Sequence, residues 1–266
     1  MVAIAHFIAI SCYVGAAAFA AAPIARPVRA PVRLVLATLG IGVAFHLLAL
    51  VQAARLLGQL PVSGLGPALS LAGLMVAATL LAAEVGTRDV TLTLVGGPLA
   101  ALVTIAANVS GVRTGPPVAG GAWLISHIAL SFFGIAAFAT AAAAGAMYLL
   151  EHRELRSRRF AAVLRFFPPL ETLDRVNHVG VLVASLALTL GIVLAATYAI
   201  AHRALNVPEI VWGVVVWLTA TALAYGRLVG GWHARRAALA ASVTFVIVIA
   251  LYVAVRMNIS AGGAFL

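Results

Sequence analysis

Charge is what this sequence has least of: 9% of its 266 residues are charged, against 64% hydrophobic, and the mean hydropathy is +1.13. A globular domain carries roughly 25% charged and about 45–50% apolar residues. One soluble core of this length could not hide so much apolar surface, so a soluble enzyme is excluded and the bilayer is the solvent. Lysine is missing altogether. The seventeen basic residues are all arginines, and they sit in short loops between apolar runs, the pattern that orients membrane proteins. No soluble basic domain exists to carry nucleic acid, so the net charge of +10 does not signal DNA or RNA.

Cysteine occurs once, as Cys12, which excludes an internal disulfide, and neither CxxC nor CxxCH is present for redox work or covalent haem. The sequence has no HExxH, GxSxG or GxxxxGK[ST] and no paired intramembrane carboxylates. No residue reads as a catalytic acid or base, so the chain is expected to bind rather than to catalyse. Internal repeats and the buried charge of a proton-coupled transporter are missing too.

What is present is apolar sequence in lengths that suit a membrane. A spanning helix needs about 20 mostly apolar residues, because each rises about 1.5 Å through a core about 30 Å thick. Runs this long and rich in Ala, Leu and Val are helices, the structure that satisfies its own backbone in lipid. Eight spans are expected near 2–22, 33–54, 66–86, 91–109, 122–150, 177–200, 209–229 and 236–257, forming one all-α membrane domain over 1–266. The first lacks a basic start and has its arginines after it, so it reads as a span and not a cleaved leader. The fifth is long enough to protrude into water. The fourth is short and interrupted by Gly and Pro. The stretch from Glu151 to Arg175 is the one substantial hydrophilic segment, and its "EHRELRSRRF" fits an amphipathic turn at the headgroups.

Counting arginines orients the bundle. With the N-terminus outside, thirteen fall on one face, from Arg26 to Arg236, and four (Arg55, Arg113, Arg203 and Arg256) on the other. That bias places both termini on the outer face of a bacterial inner membrane.

Ionisable groups within spans are costly, so the histidines are the natural candidates for function. His6, His46, His127 and His202 fall toward the outer side, His178 near the inner end of the sixth span, and His152 and His233 in inner loops. A neutral imidazole ligates haem iron well. Each also has a plainer reading. His152 and His233 fit solvated loops, His6 an interfacial side chain bonded locally, His202 a loop beside Arg203, and His178 a helix-end anchor. His46, deep in a span with no charge beside it, fits either a ligand or a bond to another helix. Glu84 is expected to reach the interface beside Arg88.

Four segments carry a resemblance. "FHLLALVQAARLLGQLPVSGLGPALSL" (45–71), "WLISHIALSFFGIAAFATAAAAGAMYLLEHREL" (123–155), "PPLETLDRVNHVGVLVASLALTLGIVLA" (168–195) and "VVWLTATALAYGRLVGGWHARRAALAASVTFVIVIALYVAVRMN" (215–258) follow one another in order. They resemble the CcsA/HemX-type cytochrome c assembly proteins over most of the chain. The most specific block is Pro-x-Leu-Glu-x-Leu-Asp, a loop entering a Leu-Thr-x-Gly helix. The resemblance implies a protein that binds haem b or presents it at the outer face. His127 matches the outward-facing haem-ligand histidine and His46 the early-helix histidine, and Trp123 and Trp212 are expected with them as haem-binding residues. Its implied partners are lipid, haem, apocytochrome c and another assembly subunit.

The chain also departs from that pattern. The family's tryptophan-rich loop is replaced by "HRALNVPEIVW" (202–212), which keeps Pro208 and Trp212. Tyr225 stands where an intramembrane histidine is expected, and Gly263 near the place of the second outer histidine. His202 or His46 is then the candidate second ligand beside His127. The alternative is a ligand-less scaffold or regulatory subunit, packing through small-residue faces such as "AAFATAAAAGA" (136–146).

Overall fold

The computed structural model describes residues 2–25, 30–58, 61, 65–111, 121–157, 168–202 and 207–260. Residues 112–120, 158–167, 203–206 and 261–266, on which parts of the expected loops and the tail fall, lie outside the described residues. The described chain is helical throughout: α1 (Val2–Ala20), α2 (Ala22–Ala25), α3 (Val32–Leu57), α4 (Leu65–Thr87), α5 (Thr93–Ser110), α6 (Gly121–Ser157), α7 (Leu170–His202), α8 (Val207–Leu228) and α9 (Ala234–Ser260). Eight of these helices contain segments long and apolar enough to cross a membrane. The chain is a multi-pass membrane protein, and the eight expected spans all fall on helices.

Two boundaries moved. The Leu-Glu-x-Leu-Asp stretch, expected as a loop, is the first turn of α7, which begins at Leu170 and not near 177. Pro169 accounts for this: its carbonyl accepts from Thr172 N at 2.8 Å, and proline is suited to a helix start. Glu171 in that turn complements the positive end of the helix dipole. At the other boundary, "EHRELRS" continues α6 to Ser157 without a break. The interruptions expected in the fourth span are absorbed, since α5 runs on through Pro98.

Contacts divide the chain into two compact units. In the first (residues 1–118 with 151–172), α1 packs on α3 and α5, and α4 on α3 and α5. The buried positions of α1 include Ala5, Ala9, Tyr13, Ala16 and Ala20, and those of α3 Val35, Leu39, Gly42, His46, Ala49 and Ala53. Spacings of three and four keep each set on one helix face.

The second unit (residues 119–150 with 173–266) is built on α6 to α9. Ala137, Phe138, Ala141, Val181, Ala184, Leu223, Ala224 and Ala241 form its main core. The small-residue stretch at 136–146 is therefore packing within the bundle and not a face left open. Close approach needs glycine at Gly180, where a Cβ would stand 2.9 Å from Ala141 Cβ and 3.1 Å from Ala137 O.

Gly180→Leu is expected to cost about 1–3 kcal/mol by overpacking the α6–α7 contact. Gly213→Ala, at a helical position with nothing within 4 Å of a new Cβ, should be neutral or mildly stabilising. Thermal unfolding of the detergent-solubilised variants checks the pair.

Candidate functional site

The first unit buries a chain of polar side chains drawn from three helices. His6 Nε2 and His46 Nε2 each lie 3.0 Å from Ser70 Oγ, and Tyr13 Oη lies 3.1 Å from His46 Nδ1. The two imidazoles meet edge to face with ring centres 5.1 Å apart. His6, Tyr13, His46 and Ser70 are all buried. Local sequence makes room for this. Tyr13 follows His6 by two helical turns, so both side chains leave the same face of α1. Gly42 stands one turn before His46, and a Cβ there would come within 2.7 Å of the Tyr13 ring.

His6 is thus not the interfacial, locally bonded side chain expected from the sequence; its partner is on α4. His46 has both ring nitrogens engaged, which leaves it no open position for a ligand while those bonds stand. Tyr13 and Ser70 were not among the candidates. The signal that could have found them is their position, a tyrosine two turns from one histidine and a lone serine in an apolar helix start.

Glu84, at the end of α4, also departs from expectation. It is fully buried, and its carboxylate accepts from Thr93 N at 2.6 Å and from Thr93 Oγ1 at 2.7 Å. The side chain turns inward to cap α5, whose first N–H groups have no intrahelical partner. Arg88 closes α4 with φ 57° and donates its backbone N–H to Glu84 O.

In the second unit the candidate residues are more open. His127 is half-buried on α6, and its Nδ1 lies 2.8 Å from Gly191 O of α7 and 3.4 Å from Ser131 Oγ. A carbonyl only accepts, so Nδ1 carries the proton and Nε2 keeps its lone pair. Nε2 has no hydrogen-bond partner among the described residues. Histidines that ligate metals are held this way, with the far nitrogen donating to a carbonyl. Trp123, one turn earlier and 50% exposed, donates Nε1–H to Leu194 O at 3.0 Å and Thr197 Oγ1 at 3.1 Å. The pair on α6 is therefore held by neighbouring turns of α7. Trp212 packs elsewhere, against the cluster of Leu188, Val216, Ala220 and Val248. His202 ends α7, and its side chain lies outside the described residues. His46 and His127 belong to different units. Among the described residues no group of three or more His, Cys, Asp or Glu could hold a metal ion.

The same unit carries a polar network that sequence reasoning did not assemble. Arg227 of α8 donates Nη2–H to Asp174 Oδ1 at 2.6 Å and Nε–H to His178 Nδ1 at 3.2 Å. Its Nη1–H reaches Trp232 O at 3.5 Å. The Arg236 guanidinium lies 4.5 Å from the centre of the Trp232 ring. A Cβ on Gly226 would stand 2.7 Å from that ring, so glycine is needed where the ring rests on α8. Asp174 of the Leu-Glu-x-Leu-Asp block and Arg227 of the "YGRLVGGWHARR" block are thus one ion pair. Their sequence spacing hides the link, although each block was legible alone. His178 lies two turns into α7, held by this Arg227 bond, and is not the helix-end anchor of its plainer reading.

The sequence pattern described as Cytochrome C assembly protein matches residues 34–260 of the chain. Protein HemX of Brevibacillus brevis is 38% identical over 74 residues, covering 26% of this chain and 27% of that protein. The cytochrome c biogenesis protein CcsA of Synechococcus sp. (strain WH7803) is 32% identical over 92 residues, 33% of this chain and 28% of that protein. The alignments thus span little more than a quarter of each relative's length. No solved structure matches the chain.

Asp174→Ala strands the Arg227 guanidinium, whose side chain is 8% exposed, without its carboxylate. Breaking a fully buried pair costs about 3–5 kcal/mol. Asp174 is 32% exposed, so the expected loss is nearer about 2 kcal/mol. Thermal unfolding should show it, with Asp174→Glu recovering part.

Proposed function

Since the chain belongs to the cytochrome c assembly protein family, we propose that it handles haem for cytochrome c biogenesis, binding haem b and holding it at the outer face of a bacterial inner membrane. The observation that carries this reading is the His127 imidazole. Gly191 O fixes its tautomer, and Nε2 is left with a lone pair and no partner among the described residues. That donor fits one axial position on a haem iron. The retained Trp123 indole, half-exposed one turn away, supplies apolar area at the same helix end. The arginine bias, which puts the start of α6 on the outer side, supports presentation outward.

In this reading the protein binds and orients; haem is cargo, and its attachment to apocytochrome c is completed by another assembly subunit. His202 is the candidate for the second axial position. His46 is assigned to packing, because a ligand role would require Tyr13 or Ser70 to leave it.

Absorption spectroscopy of the detergent-purified protein with added haem tests the proposal. The wild type should show a Soret band, and His127→Ala should weaken haem binding by at least about tenfold. Added imidazole should restore the band in that variant, while His46→Gln should keep it. A colourless wild type, or a His127→Ala spectrum equal to wild type, would overturn the reading in favour of a ligand-less scaffold.

A further inference from the structure

The buried chain in the first unit has a direction, and the direction follows from counting protons. Ser70 Oγ has one proton to give, and each neutral imidazole donates from one nitrogen and accepts at the other. Suppose Tyr13 O–H donates to His46 Nδ1. His46 Nε2–H then donates to Ser70 Oγ, and Ser70 O–H donates to His6 Nε2. One group remains unpaired, the His6 Nδ1–H, which has no partner among the described residues although His6 is 2% exposed.

Now reverse the chain. His6 Nε2–H donates to Ser70, Ser70 to His46 Nε2, and His46 Nδ1–H to Tyr13 Oη. Two groups are then left without partners, the His6 Nδ1 lone pair and the proton of a Tyr13 hydroxyl that is 0% exposed. Unpaired polar groups in a dry interior are expensive, so the first direction wins.

Its loose end does not point to bulk water. A cavity of about 10 Å³ lies beside it, lined by His6, Ser70, Leu50, Ala53, Pro67 and Ala107. That volume is at the lower limit for one water, which also needs at least two polar partners. Ser70 Oγ, bonded at the opposite ring nitrogen, is out of reach of a water at Nδ1, so the His6 Nδ1–H is left as an unpaired donor among the described residues.

We propose that the Tyr13–His46–Ser70–His6 chain is a one-directional hydrogen-bonded track that ends in a buried, unpaired N–H at His6 Nδ1. The track fixes opposite tautomers on its two histidines: His6 carries its proton on Nδ1 and His46 on Nε2. It also withholds the early-helix histidine from ligation, because His46 presents an N–H to Ser70 and its lone pair is taken by Tyr13. The tautomer of His6 is set by a hydroxyl on the far side of His46, through two intervening side chains.

Nitrogen NMR of the full chain, labelled at histidine and held in nanodiscs, tests this, with His6→Gln and His46→Gln assigning the signals. The wild type should show His6 protonated at Nδ1 and His46 at Nε2. Tyr13→Phe removes the donor that sets the direction, so both histidines should shift to mixed tautomers together. Ser70→Ala should uncouple them, altering His6 while His46 keeps Nδ1 as acceptor. Finding His6 protonated at Nε2, or an unchanged His6 signal in Tyr13→Phe, would overturn the proposal. Retention of both tautomers in Ser70→Ala would do so as well.

Discussion

Hydrocarbon offers no hydrogen bonds, and the placement of the polar side chains follows from that one constraint. Side chains short enough to do so fold back onto their own helix. Thr79, Thr104, Thr140, Thr189 and Ser126 donate to the carbonyl four residues earlier. Groups that cannot solve the problem locally reach across to another helix. His6 and His46 share Ser70, Trp123 and His127 use α7 carbonyls, Trp217 bonds Thr189 Oγ1, and Asn177 donates to Ala141 O. Each such bond also fixes which helix faces which, so polar groups that would be a liability in lipid become the register marks of both units.

The same constraint gives two histidines opposite fates. His46 is surrounded: both nitrogens are used and no surface is exposed. His127 is tied at one nitrogen and left with a lone pair at the other. An imidazole of the first kind rigidifies a core, and one of the second kind is ready for a metal. The sequence places both in spans, and spacing cannot separate them, because the deciding groups (Tyr13 and Ser70 in one case, the Gly191 carbonyl in the other) lie on different helices.

Fold class was legible because hydrophobic length is a one-dimensional property. Eight runs gave eight membrane-capable helices, and even the short, Gly- and Pro-interrupted fourth span held. Legibility failed where local chemistry competed with composition. Pro169 made a helix start out of a stretch that reads as a loop. It failed again wherever two distant residues had to meet. Asp174 and Arg227 were each visible in their own blocks, but neither spacing nor periodicity pairs residues on separate helices. Glu84 shows the same limit: a carboxylate near Arg88 reads as interfacial until the start of α5 is seen to supply two donors.

The central claim is that His127 offers its Nε2 to haem iron. Electron–nuclear double resonance on the haem-loaded protein, with histidine nitrogens labelled, addresses it most directly. The account predicts strong coupling of the iron to histidine nitrogen, with one nitrogen lost in His127→Ala and none lost in His46→Gln. An unchanged set of couplings in His127→Ala, or haem bound with no histidine nitrogen coupled to its iron, would contradict it.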